Sequence, residues 1–310
     1  MKYKIYKFSF STALHMGKRN LEEHEYTIHA DTLFSALCIE AIKMGEPTLQ
    51  QLYKAVQENR LLLSDAFPYI NDNTYFLPKP IKQIVHGENS GNSVIKKAYK
   101  KLKYIPAEAF EQYLSGNLDV MWATELLHHL GKEEVRTFVN LTDVEDSTPY
   151  QVGTYHFQQD SGLYVIVGYA DDELLTWLEE LLTSVSYAGI GGKRSSGLGK
   201  FTLKKGKLHQ DIQKRLEHKS ETYMLLSCAL PMEEELEEIM QDAEYLLLKR
   251  SGFVYSEKYS ESQMRKKDIY FMSAGSCVKE KFSGAVYDVS AGGKHAVYRY
   301  GKPMFLGVDL

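Results

Sequence analysis

GIGGKRSSGLGKF, residues 189–201, is a glycine-rich segment from which the fold can be predicted outward in both directions. It follows residues 171–186, where leucines recur at helical spacing and the first turn is acidic, a pattern that predicts an amphipathic helix. That helix is preceded by LYVIVGY, residues 163–169, a continuous apolar run typical of a central strand. The sequence therefore predicts a strand, a helix, a glycine-rich loop and a further strand, in that order.

The N-terminal residues predict the other half of the same unit. Aromatic residues 3–10 favour a strand, and the apolar pattern over residues 33–42 predicts a helix with Asp31 as a plausible N-cap. Residues 134–157 indicate the two arms of a long β-hairpin, with the turn formers TDVEDSTP at its tip. The order strand, helix, hairpin arms, helix, strand is the βαββαβ order of a ferredoxin-like domain.

A second unit is predicted after a charged segment, residues 204–220, which is typical of a linker. It contains a strand at residues 223–230, a helix at residues 232–248 and later strand candidates. The predicted fold class is α+β, with two tandem ferredoxin-like (RRM-like, βαββαβ) domains. The first covers residues 1–210, with an insertion at about residues 64–118 and the glycine-rich loop at 189–201, and the second covers residues 211–310.

The charge of the chain excludes nucleic-acid binding through overall positive charge, but it allows binding through local basic segments. The 310 residues carry a formal net charge of −4, which excludes histone-like binding through overall positive charge. Positive charge is nevertheless concentrated, because residues 181–210 contain six basic residues and no acidic one. Residues 89–107 also lack acidic residues, and their lysine cluster at 96–103 could bind phosphate or be a solvated helix face.

The three cysteines, Cys38, Cys228 and Cys277, are odd in number and form no CxxC pair. Their number and spacing argue against a disulfide framework and against a cysteine zinc site. Free cysteines are typical of proteins in a reducing cytoplasm. No apolar run approaches the roughly 18 residues that a membrane-spanning helix needs. We therefore expect a cytoplasmic protein without a membrane contact.

The glycine-rich loop does not fit the common nucleotide-binding motifs. A Walker A loop requires Ser or Thr after Gly-Lys, but Arg194 and Phe201 occupy those positions. The dinucleotide fingerprint fails as well, because Arg194 stands where its third glycine belongs. Glycines, hydroxyls and cations together suit a nucleic-acid backbone, whose phosphates they could contact. A glycine-rich turn with solvated lysines is an equally good interpretation of the composition.

Candidate catalytic residues are few. His15 could be the general base of a metal-independent ribonuclease, or a loop histidine that contacts phosphate. The adjacent His128 and His129 lack the spacing of a metal site. Asp31 could be a catalytic or metal-binding acid, but a helix N-cap accounts for it better. We therefore predict no catalytic residue, no metal and no cofactor.

Seven segments in a fixed order resemble one protein family. The chain resembles the RAMP (repeat-associated mysterious protein) superfamily of CRISPR proteins and, within it, the family of the fourth subunit of the type III-A Csm effector complex. The segments are IHADTLFSALC (28–38), FLPKPI (76–81), KKLKYIP (100–106), GLYVIV (162–167), the glycine-rich loop, LLLKRSGFV (246–254) and VYRYGKPMFLGV (297–308).

The resemblance implies a non-catalytic, RNA-binding subunit that holds the 5′ tag of crRNA. Its implied partners are the crRNA, the large polymerase-like subunit and the backbone RAMP subunit, with no membrane and no primary contact with DNA. It also implies a hairpin thumb that wedges into the guide, placed at residues 144–151 or, alternatively, within the insertion at 64–116. The implied RNA-binding residues are His15, Gly17, Lys18 and Arg19, then Gly191, Gly192, Lys193, Arg194, Ser195 and Ser196, and the second-domain turn Lys249, Arg250, Ser251 and Gly252.

Two other functions remain open from the sequence. One is a metal-independent crRNA-processing endoribonuclease of the same superfamily, with His15 as the base. The other is a purely structural adaptor whose basic segments contact protein.

Overall fold

The computed structural model of the chain describes residues 1–18, 20–84, 93–139, 149–256 and 258–308. Within these ranges no helix is both long enough and apolar enough to cross a membrane. We call residues 1–206 the N-terminal part and residues 207–308 the C-terminal part.

The elements of the N-terminal part are β1 (Lys2–Phe10), β2 (Met16–Gly17), β3 (His24–Glu25), α1 (Ala30–Met44), α2 (Glu46–Gln57), β4 (Leu61–Leu63), β5 (Phe67–Ile70), β6 (Thr74–Pro78), α3 (Ser93–Lys101), β7 (Tyr104–Pro106), α4 (Phe110–Leu114), α5 (Val120–His128), β8 (Gly131–Val139), β9 (Pro149–Phe157), β10 (Gly162–Tyr169), α6 (Asp172–Ala188) and β11 (Phe201–Gly206). Those of the C-terminal part are α7 (Gln210–Glu217), β12 (Tyr223–Leu225), α8 (Leu236–Gln241), β13 (Leu247–Arg250), β14 (Ile269–Met272), β15 (Cys277–Val278), β16 (Val286–Asp288), β17 (Tyr298–Tyr300) and β18 (Phe305–Gly307).

The main sheet of the N-terminal part is built around β10. Its strand order is β11-β1-β10-β5-β6-β7, and β4 also pairs with β10. Since β10 is antiparallel to β1, β4 and β5, and β1 is antiparallel to β11, two crossovers link parallel strands across one intervening strand. These are the α1–α2 and α6 connections, and each is a split βαβ unit. The strand at 163–169 and the helix at 171–186 are confirmed.

Both faces of this sheet are covered. Tyr6 and Phe8 of β1 belong to a core shared with α1, α2 and α6. Ile5 and Tyr164 belong to a second core, which includes residues of the α3–α5 segment and of the C-terminal part. Every residue of β10 is buried, as its apolar sequence predicts. Because neither face is open, a nucleic-acid surface on this sheet has to lie on its loops.

The predicted long hairpin is confirmed by the antiparallel pairing of β8 with β9. Its predicted place in the βαββαβ order is wrong, because β8 and β9 form a separate two-stranded sheet, and β4, β5 and β10 are the strands between the two helical connections of the main sheet. Most of the predicted thumb, residues 144–148, lies outside the described residues, while Tyr150 and Gln151 belong to β9. Part of the predicted insertion extends the main sheet through β6 and β7. Residues 204–220 are not a simple linker, because they contain α7, which packs against β18.

Two local predictions are wrong. The predicted helix over residues 232–248 is interrupted: a 3₁₀ turn at Glu233–Glu235 leads into the short α8, and β13 begins at Leu247. The pairing of β13 with β14 overrides the helical periodicity of the local sequence. Asp31 is not the N-cap of α1, because His29 occupies that position and Asp31 is buried in the first turn.

A buried carboxylate joins the two parts of the chain. Asp31 accepts a hydrogen bond from Arg250 Nε at 2.9 Å and another from the guanidinium of Arg299. Both arginines belong to the C-terminal part, whereas Asp31 lies on α1. Burial by itself raises the pKa of Asp31, but the two guanidinium groups hold it well below its usual range, so the carboxylate stays charged.

A second buried carboxylate, Asp65, lies in the gap between β4 and β5. Its Oδ1 accepts hydrogen bonds from the backbone N–H groups of Ala30 at 2.8 Å and Cys228 at 2.9 Å. Its Oδ2 is 2.7 Å from His29 Nδ1. Burial lowers the pKa of His29, but contact with Asp65 and then Glu25 outweighs it and raises that pKa to about 9. The two carboxylates together tie α1 to the C-terminal part.

We expect Asp31→Asn to lower the free energy of unfolding by about 3–5 kcal/mol, because it leaves Arg250 and Arg299 buried without their counter-charge. The matched control is Asp172→Asn, which removes an exposed partner of Lys2 and should cost less than about 1 kcal/mol. Urea denaturation of both variants measures the difference. Equal losses would show that the buried pairing contributes nothing beyond a surface ion pair.

Stability should also depend on the protonation of His29. Its pKa is raised from 6.5 to about 9 in the folded chain, so the folded state binds this proton more tightly than the unfolded state. The stabilisation is therefore complete below pH 6.5 and is lost as the pH rises through about 9. Denaturation midpoints across this pH range should fall less steeply in His29→Gln than in the unaltered chain. Parallel profiles would contradict a charged His29.

Candidate nucleic-acid interface

The glycine-rich loop packs directly against the segment that carries His15. The Gly192 N–H donates to the His15 carbonyl oxygen at 2.8 Å, and the Gly199 N–H donates to the Ala13 carbonyl oxygen at 2.8 Å. Gly191 has a φ of +91°, and a Cβ there would lie 2.5 Å from the His15 carbonyl oxygen. These glycines therefore serve close packing between two loops, and the N–H groups of Gly192 and Gly199 already have protein partners.

His15 is held inside this contact. Its side chain is buried, and its Nδ1 lies 2.6 Å from the Gly153 carbonyl oxygen of β9, which places the proton on Nδ1 when the ring is neutral. Burial lowers the pKa of His15, which favours the neutral ring at neutral pH. The ring edge lies against the Gly192 backbone, where a Cβ would be 2.7 Å away. His15 thus connects the glycine-rich loop to the hairpin.

The other predicted residues of the first segment lie beside it. Gly17 is part of β2, which pairs with β3. Lys18 is exposed and forms an ion pair with the partly buried Glu25 at 3.2 Å. Arg19 lies outside the described residues.

The two cations of the glycine-rich loop each contact a tyrosine. Lys193 has a left-handed backbone with a φ of +57°, and its Nζ donates to Tyr150 Oη at 2.9 Å. The same Nζ lies 4.4 Å from the centre of the Tyr150 ring, which stacks on Phe138 of the other hairpin arm. The Arg194 guanidinium lies 4.6 Å from the centre of the Tyr255 ring in the C-terminal part. Lys193 therefore joins the glycine-rich loop to the hairpin strand β9, and Arg194 joins it to the C-terminal part.

Ser195 and Ser196 are the most exposed of the predicted residues in this loop. With Arg194 they form a 3₁₀ turn whose N-terminal flank is Lys193. Their hydroxyls are accessible donors next to two cations, an arrangement that suits phosphate.

The predicted second-domain turn is not a turn after a helix. Lys249 and Arg250 belong to β13, and their side chains point to opposite faces. Arg250 donates to Asp31, so it is a structural residue of the buried cluster. Lys249 is exposed and pairs with Asp268 at 2.7 Å. The Ser251 carbonyl oxygen accepts from Arg299 at 3.2 Å, and the Gly252 carbonyl oxygen accepts from the Lys266 N–H at 2.9 Å.

The structure thus brings two of the three predicted segments into direct contact. The contact between His15 and Gly192 joins the first two, and Arg194 contacts Tyr255, which lies three residues beyond the predicted segment 249–252. Sequence reasoning missed Tyr150 and Tyr255, the two rings that mediate the loop contacts. Residues 248–255, LKRSGFVY, show no apolar–polar alternation, so the sequence alone provides no signal for an exposed strand face.

Among the described residues, one group brings metal-ligating side chains together, but its chemistry is unfavourable for a metal. Ligand atoms of His29, Asp65 and Cys228 lie within 4.8 Å of one another. Asp65 Oδ1 is already bonded to two backbone N–H groups, and the raised pKa of His29 keeps its ring protonated. Burial raises the pKa of the Cys228 thiol well above its usual range, which disfavours the thiolate that a metal needs. We interpret the group as part of the buried cluster around Asp31.

The sequence is similar to known CRISPR proteins along its whole length. The family profile "CRISPR Csm4 C-terminal domain" matches residues 218–308. The CRISPR system Cms protein Csm4 of Mycobacterium tuberculosis is 35% identical over 309 residues, which cover 99% of this chain and 98% of the relative. The chain belongs to the Csm4 family. The corresponding protein of Streptococcus thermophilus is also 35% identical, over 318 residues that cover 100% of both chains.

Solved structures of the family share the fold. A chain in the crystal structure of a Csm3-Csm4 subcomplex of the type III-A CRISPR-Cas interference complex superposes with a TM-score of 0.67 and 21% identity, over 99% of both chains. A chain in a Csm1-Csm4 cassette in complex with AMPPNP gives a TM-score of 0.62 and 20% identity, over 100% of this chain and 99% of that one. The likeness covers both the N-terminal and the C-terminal part.

Gly191→Ala should destabilise the loop contact, because its Cβ would meet the His15 carbonyl oxygen at 2.5 Å. Gly197→Ala is a matched control: its φ of +83° is similar, but a Cβ there meets nothing within 4 Å. The left-handed strain of about 1 kcal/mol is common to both substitutions, so the difference between their melting temperatures isolates the steric clash. We expect Gly191→Ala to be the less stable. If both lose the same stability, the close approach of the two loops is not required.

Proposed function

We propose that this chain is the non-catalytic, RNA-binding subunit of a type III-A Csm effector complex in the cytoplasm, where it holds the 5′ tag of crRNA. The observation that carries the proposal is the direct contact between the His15 segment and the glycine-rich loop, together with the contact of Arg194 with Tyr255 of the C-terminal part. The family resemblance implies RNA contacts for both of these segments.

The charge of this surface supports a polyanionic ligand. Lys200, at the end of the glycine-rich loop, is exposed, as are Ser195 and Ser196. Cations and hydroxyls of this kind contact phosphates without reading the base sequence. The side chains of Lys193 and Arg194 are partly engaged by tyrosines, which positions their charges at the loop.

We further propose that the chain bridges the large polymerase-like subunit and the backbone RAMP subunit. The related chains of similar fold come from a Csm3-Csm4 subcomplex and from Csm1-Csm4 cassettes. For the fold, we propose that the C-terminal part is a second, reduced ferredoxin-like domain. In support, β12 lies between β15 and β18 and is antiparallel to both.

The environment of His15 supports a role without catalysis. A general base must reach the proton it abstracts, but His15 is 4% exposed and its Nδ1 bonds to a backbone carbonyl oxygen. Its backbone carbonyl in turn anchors the glycine-rich loop. A positioning role for His15 accounts for both contacts.

The test is the salt dependence of binding to single-stranded RNA that carries the crRNA tag. Arg194→Ala with Lys200→Ala should weaken binding and lower the slope of log affinity against log salt by about 1.4, since each phosphate contact on a single strand contributes roughly 0.7. Lys54→Ala with Lys214→Ala removes two exposed charges on α2 and α7 and should leave the slope unchanged. Fluorescence anisotropy measures both.

Two results would contradict the proposal. Equal slopes in the loop variant and the control variant would remove the glycine-rich loop from the interface. Specific cleavage of repeat RNA in EDTA that is lost in His15→Ala would make the chain a metal-independent nuclease.

A further inference from the structure

A two-stranded ribbon of the C-terminal part presents one face to solvent. β13 and β14 pair from Leu247 to Arg250, and the pairing continues beyond Gly252 through the bridge between Phe253 and Arg265. Along residues 247–255 every odd-numbered residue is exposed and every even-numbered one is at least partly buried. This is the alternation of a strand with one covered face and one free face.

The free face carries aromatic rings at unusual exposure. Tyr255 is 70% exposed, Phe253 is 54% exposed and Tyr270, on the neighbouring strand, is 50% exposed. Exposed rings this close together in sequence are not explained by the core, which is formed by residues on the other face, such as Phe271. These three exposed rings make no contribution to the core that would explain their position.

Each ring has a cation beside it. The Arg194 guanidinium lies 4.6 Å from the centre of the Tyr255 ring, and that of Arg265 lies 5.8 Å from the centre of Phe253. The Lys249 ammonium lies 5.9 Å from the centre of Tyr270. Rings alternating with cations match a single-stranded nucleic acid, in which bases alternate with phosphates.

We propose that Phe253 and Tyr255 stack on unpaired RNA bases, with Arg194 and Arg265 beside the adjoining phosphates. The proposal rests on the RNA-binding function proposed above and adds to it direct contact with bases. Phe253 and Tyr255 are two residues apart on an extended strand, so their rings are separated by roughly 7 Å. Stacked bases along one strand are about 3.4 Å apart, so each ring contacts a different base of an extended, unstacked segment.

The position of the ribbon favours RNA over a protein partner. Tyr255 touches Arg194 of the glycine-rich loop, so the rings continue the surface on which phosphate contacts are proposed. The exposed side chains of the ribbon include Lys249, Arg265 and Lys267, against a single described acid, Asp268, which pairs with Lys249. An apolar docking face for protein would not need a cation at each ring.

The experiment compares two single-stranded RNAs of equal length in binding to the full chain: one with bases and one abasic. Tyr255→Ala and Phe253→Ala should each lose about 5- to 150-fold in affinity for the strand with bases. Neither should change affinity for the abasic strand beyond the error of measurement. Tyr255→Phe keeps the ring and should bind as the unaltered chain does. Trp122→Ala, an exposed aromatic residue on α5, is the control for loss of any surface ring.

The outcomes separate this inference from the function on which it rests. If the unaltered chain binds both strands but Tyr255→Ala and Phe253→Ala bind them equally well, stacking is refuted and the proposed function stands. If the unaltered chain binds neither strand, both are refuted. If the two variants keep RNA affinity but fail to copurify with the large subunit or the backbone subunit, the ribbon docks protein and the inference is wrong.

Discussion

The ion pairing of Asp31 with Arg250 and Arg299 is the interaction on which the rest of the structure depends. It holds α1 of the N-terminal part against β13 and β17 of the C-terminal part in the protein interior. Because Arg250 faces inward, its neighbours Lys249 and Ser251 face solvent, and the exposed face of the ribbon is set by the buried one. A charge cluster with no direct contact to the proposed RNA thereby orients part of the surface that would bind it.

The composition of the glycine-rich loop indicates phosphate binding, but its contacts in the folded chain show that it also has a structural role. Its glycines, cations and hydroxyls are the composition of a phosphate-binding loop. In the folded chain the glycines allow contact with His15, and Lys193 and Arg194 each meet a tyrosine. The loop is therefore a junction between the His15 segment, the hairpin and the C-terminal part, and its exposed residues are the serines and Lys200.

The sequence predicted well where one local pattern decided the structure. The apolar run of β10 and the leucine stripe of α6 each form the predicted element, as does the β8–β9 hairpin. It failed where a distant partner decided. Asp31 has the sequence position of an N-cap, but in the structure it pairs with two arginines that lie 219 and 268 residues away in the sequence. The leucines before Lys249 fit a helix until β14 pairs with them. Tyr150 and Tyr255 were missed because their roles depend on loop residues remote in sequence.

The pairing of Asp31 with Arg299 spans almost the whole chain, and this affects how the protein is made. When α1 emerges from the ribosome, Arg250 and Arg299 have not yet been synthesised. The Asp31 carboxylate then has no counter-charge, and burying it would be energetically unfavourable. Helix α1 therefore cannot reach its final packing until the C-terminal part emerges. Contacts of this sequence separation slow folding, because the entropy of closing the intervening loop must be overcome before they form.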